Sequence, residues 1–73
     1  MPGQTLLSIV IPAWNEAATI FDVVAETREA LRLLPEGAFQ VLVVDNGSTD
    51  DTADRARQAG AEVVTEPGRG YGR

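Results

Sequence analysis

The chain has 73 residues, of which 44% are hydrophobic and 23% charged, so its composition is that of one small globular domain and not of a disordered chain. It contains no cysteine and no histidine, which excludes disulfides, thiolate or imidazole metal ligands, and catalytic triads built on those residues. Acidic residues outnumber basic ones by 11 to 6, and the net charge of -5 argues against a protein that grips a nucleic-acid backbone.

The first predicted element is a strand over residues 6–11, an apolar, β-branched run that ends at Pro12. Because the run has almost no polar alternation, it predicts a strand buried on both faces, as in parallel sheets. From Asn15 to Leu34 the apolar residues recur at helical spacing, with Asn15 as the predicted N-cap and Glu16 in the first turn. The sequence Pro-Glu-Gly at residues 35–37 predicts the end of this helix.

The second half of the chain predicts another strand, a short helix and a third strand. The second strand covers residues 39–44. A capping box follows, in which Ser48 caps the next helix and Asp51 supplies the acid three residues later. That helix covers residues 51–59 with only alanines on its buried side, and residues 61–65 form a weaker strand.

The order β-α-β-α-β predicts an α/β fold in which right-handed crossovers make the three strands parallel and helices cover both faces, a three-layer, Rossmann-like arrangement. Such a sheet has two open edges, and glycine-rich residues 66–73 follow its last strand. We therefore expect residues 1–73 to be the N-terminal part of a larger, here truncated domain. The small core predicts low stability, with self-association through an open sheet edge.

The loops after the three strands carry most of the unusual residues. In a parallel sheet these loops meet at one rim, where ligands bind. The candidate binding residues at this rim are Pro12, Ala13, Trp14, Asn15, Glu16, Asp45, Asn46, Gly47, Gly68, Arg69 and Gly70. Their common position is a stronger indication of a binding site than any one of them.

Asp45 closes the second strand, and its ionised carboxylate only accepts hydrogen bonds. It therefore suits a uracil N3–H, the N1–H and amino group of guanine, or ribose hydroxyls, and disfavours adenine and cytosine. An Asx-turn that merely shapes the loop explains Asp45 equally well. Trp14 either stacks on a base or packs under the rim, and the sequence leaves both open.

Two other patterns have simpler explanations. Asp50, Asp51 and Asp54 look like a metal cluster, but capping and solvent exposure on the short helix explain them. In the glycine-rich loop, main-chain N–H groups could approach a diphosphate, with Arg69 pairing its charge. Taken alone, an untethered tail is the better explanation of that loop.

Two motifs, SIVIPAWNE over residues 8–16 and VVDNGSTDDT over residues 43–52, closely resemble family 2 glycosyltransferases of the GT-A fold. Polyprenol- or dolichol-phosphate mannosyl- and glucosyltransferases are similar in particular. The resemblance implies an N-terminal half of a hexosyltransferase, in which residues 12–16 line the nucleotide pocket. It also implies that Asp45 binds the base of a UDP- or GDP-sugar and that residues 68–70 flank the nucleotide. Asn46 stands where the family often has a second Asp.

The same resemblance identifies what this segment lacks. The family's Asp-x-Asp metal motif and its acidic general base have no counterpart in the chain. We therefore expect no catalytic residue, no metal site and no sugar transfer from this chain alone. Mg²⁺ or Mn²⁺ is expected for the full-length family domain, which would transfer a hexose to an acceptor such as a polyprenyl phosphate or a glycan.

The partners expected are a UDP- or GDP-sugar and a second copy of the chain, with no nucleic acid. No apolar run approaches the ~20 residues of a membrane span, and a cytoplasmic location is expected, at the inner membrane face for the full-length protein. A non-catalytic nucleotide-binding module and a self-associating structural module remain as alternatives. A receiver domain with Asp45 as phosphate acceptor is discounted, because no acidic pair follows the first strand.

Overall fold

The computed structural model describes residues 7–35 and 37–66, so the predicted loop at Gly68, Arg69 and Gly70 lies outside the described residues. The described elements are β1 (Leu7–Ala13), α1 (Ile20–Ala30), β2 (Phe39–Asp45), α2 (Thr52–Gln58) and β3 (Glu62–Thr65). The strands form one parallel sheet in the order β1-β2-β3. The predicted β-α-β-α-β order and the α/β class are thus confirmed.

Strand β1 is longer and more exposed than its sequence predicts. It continues through Pro12 to Ala13, and Pro12 pairs in register with Val44. A proline is tolerated there because β1 pairs only with β2 among the described strands, so its other side needs no ladder hydrogen bond. Burial on both faces is wrong for β1, in which Ala13 alone is buried.

Both helices pack against the same face of the sheet. The core residues between helices and sheet are Ala13, Ile20, Val24, Val41, Val43, Ala56 and Ala61. This arrangement follows from the strand order, because two right-handed crossovers that step in the same direction place their helices on one side. Residues 7–35 and 37–66 therefore supply two layers, the sheet and one helical layer, of the predicted three.

The opposite face of the sheet is not covered by the described residues. Val10 is 56% exposed and Val64 is 44% exposed on that face. At the amino ends of the strands, the Ser8 hydroxyl donates to Gln40 Oε1 at 3.1 Å and Gln40 Nε2 donates to Glu62 Oε1 at 3.0 Å. The uncovered face is thus apolar toward the carboxyl ends of the strands and polar at their amino ends.

Helix α1 begins five residues later than predicted. Asn15 has a φ of +52°, in the left-handed region, and therefore does not act as the helix N-cap. The helix starts at Ile20 instead, after a turn in which the N–H groups of Thr19 and Ile20 donate to the Glu16 carbonyl. No helix within the two described ranges is long and apolar enough to cross a membrane.

The bounds of helix α2 agree closely with the prediction. Its buried residues are Thr52 and Ala56, so the prediction of only alanines on this side is wrong at Thr52, whose hydroxyl is hydrogen-bonded to Asp50. The small, fully enclosed Ala56 lets this short helix approach the sheet closely. Gly60, with a φ of +106°, ends the helix as expected for a residue past the C-cap. The N–H of Ala61 donates a hydrogen bond to the Ala56 carbonyl at 3.1 Å.

Because the described helices cover only one face of the sheet, the same Val→Ala substitution should lower the free energy of unfolding by different amounts in the neighbouring strands β2 and β3. Val43 is fully buried under the helices, so Val43→Ala should lower the free energy of unfolding by about 2 kcal/mol. Val64 lies on the uncovered face, so Val64→Ala should cost well under about 1 kcal/mol. Urea unfolding followed by circular dichroism measures both, and equal losses would contradict the one-sided core.

Candidate functional site

The loops that follow β1 and β2 lie side by side at the carboxyl rim of the sheet. The N–H of Asn46 donates to the Ala13 carbonyl at 2.9 Å, and the N–H of Glu66 donates to the Asp45 carbonyl at 2.7 Å. These two bonds extend the parallel ladder past the last strand residues. They bring residues 14–19 and residues 46–51 to one edge, as the sequence predicts.

Three successive main-chain N–H groups of the first loop donate into the second loop. The N–H of residue 15 donates to Ser48 Oγ at 2.8 Å, and that of residue 16 donates to Thr52 Oγ1 at 2.8 Å. The N–H of residue 17 donates to Asp50 Oδ2 at 3.2 Å. We call these three bonds the inter-loop clamp. Two of the three acceptors are hydroxyls, and the third is the chain's own Asp50 carboxylate.

The side chain of Asn15 closes the clamp from the opposite direction. Its Oδ1 accepts the N–H of Thr49 at 2.8 Å and the Thr49 hydroxyl at 3.3 Å. Asn is one of the few residues that adopt the left-handed conformation at low cost. Asn15 therefore fastens the two loops together and does not cap α1 or face a ligand with its amide oxygen.

Asp45 is only 4% exposed, and Ser48 holds one of its two carboxylate oxygens. Oδ1 accepts both the Ser48 hydroxyl and, at 3.3 Å, the Ser48 N–H. No donor among residues 7–35 and 37–66 reaches Oδ2. Asp45 thus shapes its own loop, as the turn hypothesis expects, and also keeps one oxygen for a further hydrogen bond.

The predicted capping box of Ser48 and Asp51 is wrong. Ser48 donates its hydrogen bonds to Asp45. Asp51 makes no side-chain capping bond and pairs with Arg55 at 3.2 Å. Asp50 takes the capping role, because its Oδ1 accepts the N–H of Thr52 at 3.0 Å together with the Thr52 hydroxyl. The clamp bonds that also engage Ser48, Asp50 and Thr52 link residues that are 33 to 36 positions apart, which helix-start patterns within one segment do not reveal.

The acidic residues of the described chain do not fit a metal ion. Asp50 is occupied by Ala17 and Thr52, and Asp54 pairs with Arg57 at 3.3 Å. Within the two described ranges no three or more acidic side chains form a group that could hold a metal. Charge neutralisation by a divalent ion cannot be assigned to these residues.

A shallow depression of about 180 Å³ lies on the rim beside the clamp. Its lining consists of Pro12, Ala13, Trp14, Glu16 and Asn46. Trp14 is 58% exposed, so it does not pack under the rim and presents its ring to solvent. Gly47, with a φ of +87°, shapes the adjacent turn. Five of the predicted site residues therefore share one surface, while Asp45 lies beneath it and Asn15 belongs to the clamp.

A larger depression, of about 300 Å³, lies at the opposite end of the sheet. Arg28, Phe39 and Glu62 are among its lining residues. The Arg28 guanidinium lies over the Phe39 ring and also donates to the Gly60 carbonyl at 3.3 Å. Because ligands of parallel sheets bind beyond the carboxyl ends of the strands, the smaller rim depression is the better candidate.

Residues 8–73 match the sequence profile of the family described as Glycosyl transferase family 2. Glycosyltransferase AglJ from Haloferax volcanii is 44% identical over 72 residues, which cover 99% of this chain and 22% of AglJ. Glucosyl-3-phosphoglycerate synthase from Mycobacterium tuberculosis is 44% identical over 64 residues, which cover 86% of this chain and 18% of that protein. The chain thus spans about a fifth of the length of these relatives.

Solved structures of the mycobacterial synthase have the same local fold. Its complex with Mn²⁺, uridine diphosphate and glucosyl-3-phosphoglycerate matches with a TM-score of 0.64 at 44% identity, over 86% of this chain and 21% of that one. Its complex with Mg²⁺ and uridine diphosphate matches with a TM-score of 0.65, over the same shares of the two chains. These matches confirm the GT-A, Rossmann-like half-domain that the sequence motifs predict.

Both carboxylate oxygens of Asp50 accept hydrogen bonds, which predicts that acid lowers the stability of the fold. The pKa of Asp50 lies below its ordinary 3.8, chiefly because the Thr52 hydroxyl donates to it; desolvation opposes this, and main-chain N–H groups of Thr52 and Ala17 add to it. A lowered folded-state pKa stabilises the fold fully above the unfolded-state pKa, and this contribution is lost as pH falls through the folded-state pKa.

The free energy of unfolding should therefore fall as the pH drops from about 5 through the lowered pKa of Asp50, and Asp50→Asn should flatten this part of the profile. Urea unfolding across that pH range measures the effect. Asp54→Asn is the control, because it removes the same charge from an exposed pair with Arg57 on the same helix. Equal flattening by both substitutions would contradict the role assigned to the clamp.

Proposed function

We propose, from the premise that the chain belongs to glycosyl transferase family 2, that residues 1–73 form the N-terminal nucleotide-sugar-binding part of a hexosyltransferase domain. The observation that carries the proposal is the rim depression beside the clamp, where two loops 33 residues apart in sequence are hydrogen-bonded into one surface. The mycobacterial relative binds UDP and UDP-glucose in its solved structures. The donor proposed here is accordingly a UDP- or GDP-sugar.

The exposed ring of Trp14 supplies a flat apolar surface for a nucleobase. It stands beside Asn46, whose side-chain amide both donates and accepts hydrogen bonds. Stacking on an aromatic ring is tolerant of base identity, so selectivity must come from polar contacts. We assign that selectivity to Asp45, whose Oδ2 would accept a base N–H at the inner edge of the depression.

Glu16 contributes to the same surface with an exposed carboxylate. A carboxylate accepts hydrogen bonds from ribose hydroxyls and repels a diphosphate. We therefore place the ribose of the donor next to Glu16. The diphosphate would lie away from it, toward the segment of Gly68, Arg69 and Gly70, whose N–H groups and guanidinium suit phosphate oxygens.

Sugar transfer needs more than this surface. A divalent ion, when bound, neutralises the developing charge on the leaving diphosphate, and relatives are known in complexes with Mn²⁺ or Mg²⁺. Because the described acidic residues do not fit such an ion, the proposed role of this chain is binding and orienting the nucleotide. The acceptor, such as a polyprenyl phosphate or a glycan, and the cytoplasmic location expected from the sequence stay predictions.

An alternative is a module that associates with its own copies. The exposure of Val10 and Val64 on the uncovered sheet face favours it, because exposed apolar surface and open strand edges promote association. In that case the rim loops would be structural only. Nucleotide binding distinguishes the two functions.

The chain should bind UDP or GDP in preference to ADP and CDP, because Asp45 offers acceptors only. Asp45→Asn should weaken UDP binding by on the order of tenfold, since charge-assisted hydrogen bonds contribute about 1.5–3 kcal/mol. Calorimetric titration measures both, with Asp54→Asn as the control. A chain that binds all four nucleotides equally would contradict base selectivity, and one that ignores UDP while its sedimenting mass rises with concentration would favour the alternative.

The chain alone should transfer no sugar. The assay uses radiolabelled UDP- and GDP-hexose with a polyprenyl phosphate acceptor, with and without Mn²⁺. No product is expected under either condition, because the described carboxylates are engaged by N–H, hydroxyl and guanidinium groups or stand singly. Metal-dependent product from the 73-residue chain would contradict a role limited to binding.

A further inference from the structure

Ser48 is placed between the two rim loops and the buried Asp45. Its Oγ accepts the N–H of Asn15 at 2.8 Å and donates its proton to Asp45 Oδ1. A hydroxyl that accepts on one side and donates on the other has a fixed direction, because its single proton is committed. The hydrogen bond from Asn15 thus determines where the Ser48 proton points.

A second relay of the same kind lies next to the first. There the N–H of Glu16 donates to Thr52 Oγ1 at 2.8 Å, and the Thr52 hydroxyl donates to Asp50 Oδ1. The two relays have the same order of groups: a main-chain N–H, a hydroxyl and a carboxylate. They differ in whether the second oxygen of the carboxylate also accepts a hydrogen bond.

We call the second relay closed, because both oxygens of its carboxylate accept hydrogen bonds, and the first relay open, because only one oxygen does so within the described residues. Asp50 has donors on both oxygens, since Oδ2 accepts the N–H of Ala17 at 3.2 Å. Asp45 has donors from Ser48 on Oδ1 only, and none from the rest of the described chain on Oδ2. Because Asp45 is a buried residue and one of its carboxylate oxygens is held, its other oxygen is presented in one direction.

We propose that Ser48 is a positioning residue for nucleobase recognition: by holding Oδ1 of Asp45, it directs Oδ2 toward the N–H donor of a bound base. The inference rests on the proposed function, because it presupposes a nucleotide at the rim. Ser48 does not touch the base. It acts through Asp45, and the clamp bond from Asn15 sets its geometry.

Affinity for UDP tests this role in matched variants of the full chain. Ser48→Ala frees the Asp45 carboxylate to rotate and should weaken UDP binding about tenfold. Ser48→Thr keeps the hydroxyl and should bind UDP about as tightly as the unaltered chain. Ser8→Ala is the matched control, because it removes a hydroxyl that donates to Gln40 at the amino ends of the strands, and its affinity should stay within about twofold of that of the unaltered chain.

A double-mutant cycle separates positioning from general damage to the loop. In an Asp45→Asn background, Ser48→Ala should cause no further loss of UDP affinity, because the carboxylate that it positions is absent. Losses that simply multiply would mean that Ser48 acts independently of Asp45 and would overturn the inference. Undiminished affinity of Ser48→Ala in the otherwise unaltered chain would do the same.

A measurement on the unaltered chain covers the case in which a variant does not fold. On addition of UDP, the amide resonances of Asn15 and Ser48 should shift, because the base shares the Asp45 carboxylate with the open relay. The amide of Thr52, which donates to Asp50 in the closed relay, should shift less. UDP that moves the Trp14 resonances and leaves Asn15 and Ser48 unmoved would overturn the positioning role, whereas UDP that moves nothing would overturn the proposed function on which it rests.

Discussion

The structure of the rim depends on where three main-chain N–H groups find acceptors. Residues 15–17 leave the sheet in a conformation that is not yet helical, so their N–H groups lack the partners that a helix or a ladder provides. Side chains of the neighbouring loop supply them from Ser48, Thr52 and Asp50. The left-handed turn at Asn15, the late start of α1 and the exposure of Trp14 all accompany this one requirement.

The same requirement limits what the first loop can offer to a ligand. A run of free N–H groups at a helix start commonly binds phosphate, but here the N–H groups of residues 15–17 donate to two hydroxyls and one carboxylate of the chain itself. The loop therefore contributes surface, through Trp14 and Glu16, and does not contribute N–H donors from residues 15–17. A diphosphate on this rim needs its charge compensated by other groups, and the solved complexes of the mycobacterial relative with Mn²⁺ or Mg²⁺ illustrate one such solution.

Local patterns in the sequence predict the elements well and their contacts poorly. The parallel strands, the buried Ala56 of α2 and the end of that helix at Gly60 were predictable, because each depends on neighbours within a few residues. The start of α1 and the bond between Asn15 and Ser48 were not, because they depend on residues more than 30 positions apart. The single helical layer follows from the direction of both crossovers, which composition and periodicity do not specify.

For the candidate site, the sequence predicts several of the described residues that lie at the rim but not how deeply each one lies. Asp45 is below the surface and Asn46 lines it, although the two are adjacent. Strand alternation explains the difference, since Asp45 continues the buried side of β2 that includes Val41 and Val43. The role proposed for Asp45 in base recognition would therefore depend on the one carboxylate oxygen that Ser48 does not hold.

The position of bound nucleotide tests the central claim most directly. Intermolecular nuclear Overhauser effects between UDP and the isotope-labelled chain would locate the uracil and ribose protons. We predict contacts from the uracil protons to Trp14 and Asn46 at the carboxyl rim. Contacts instead to Phe39 and Arg28 at the opposite end of the sheet, or to Val10 and Val64 on its uncovered face, would contradict a nucleotide site built by the clamped loops.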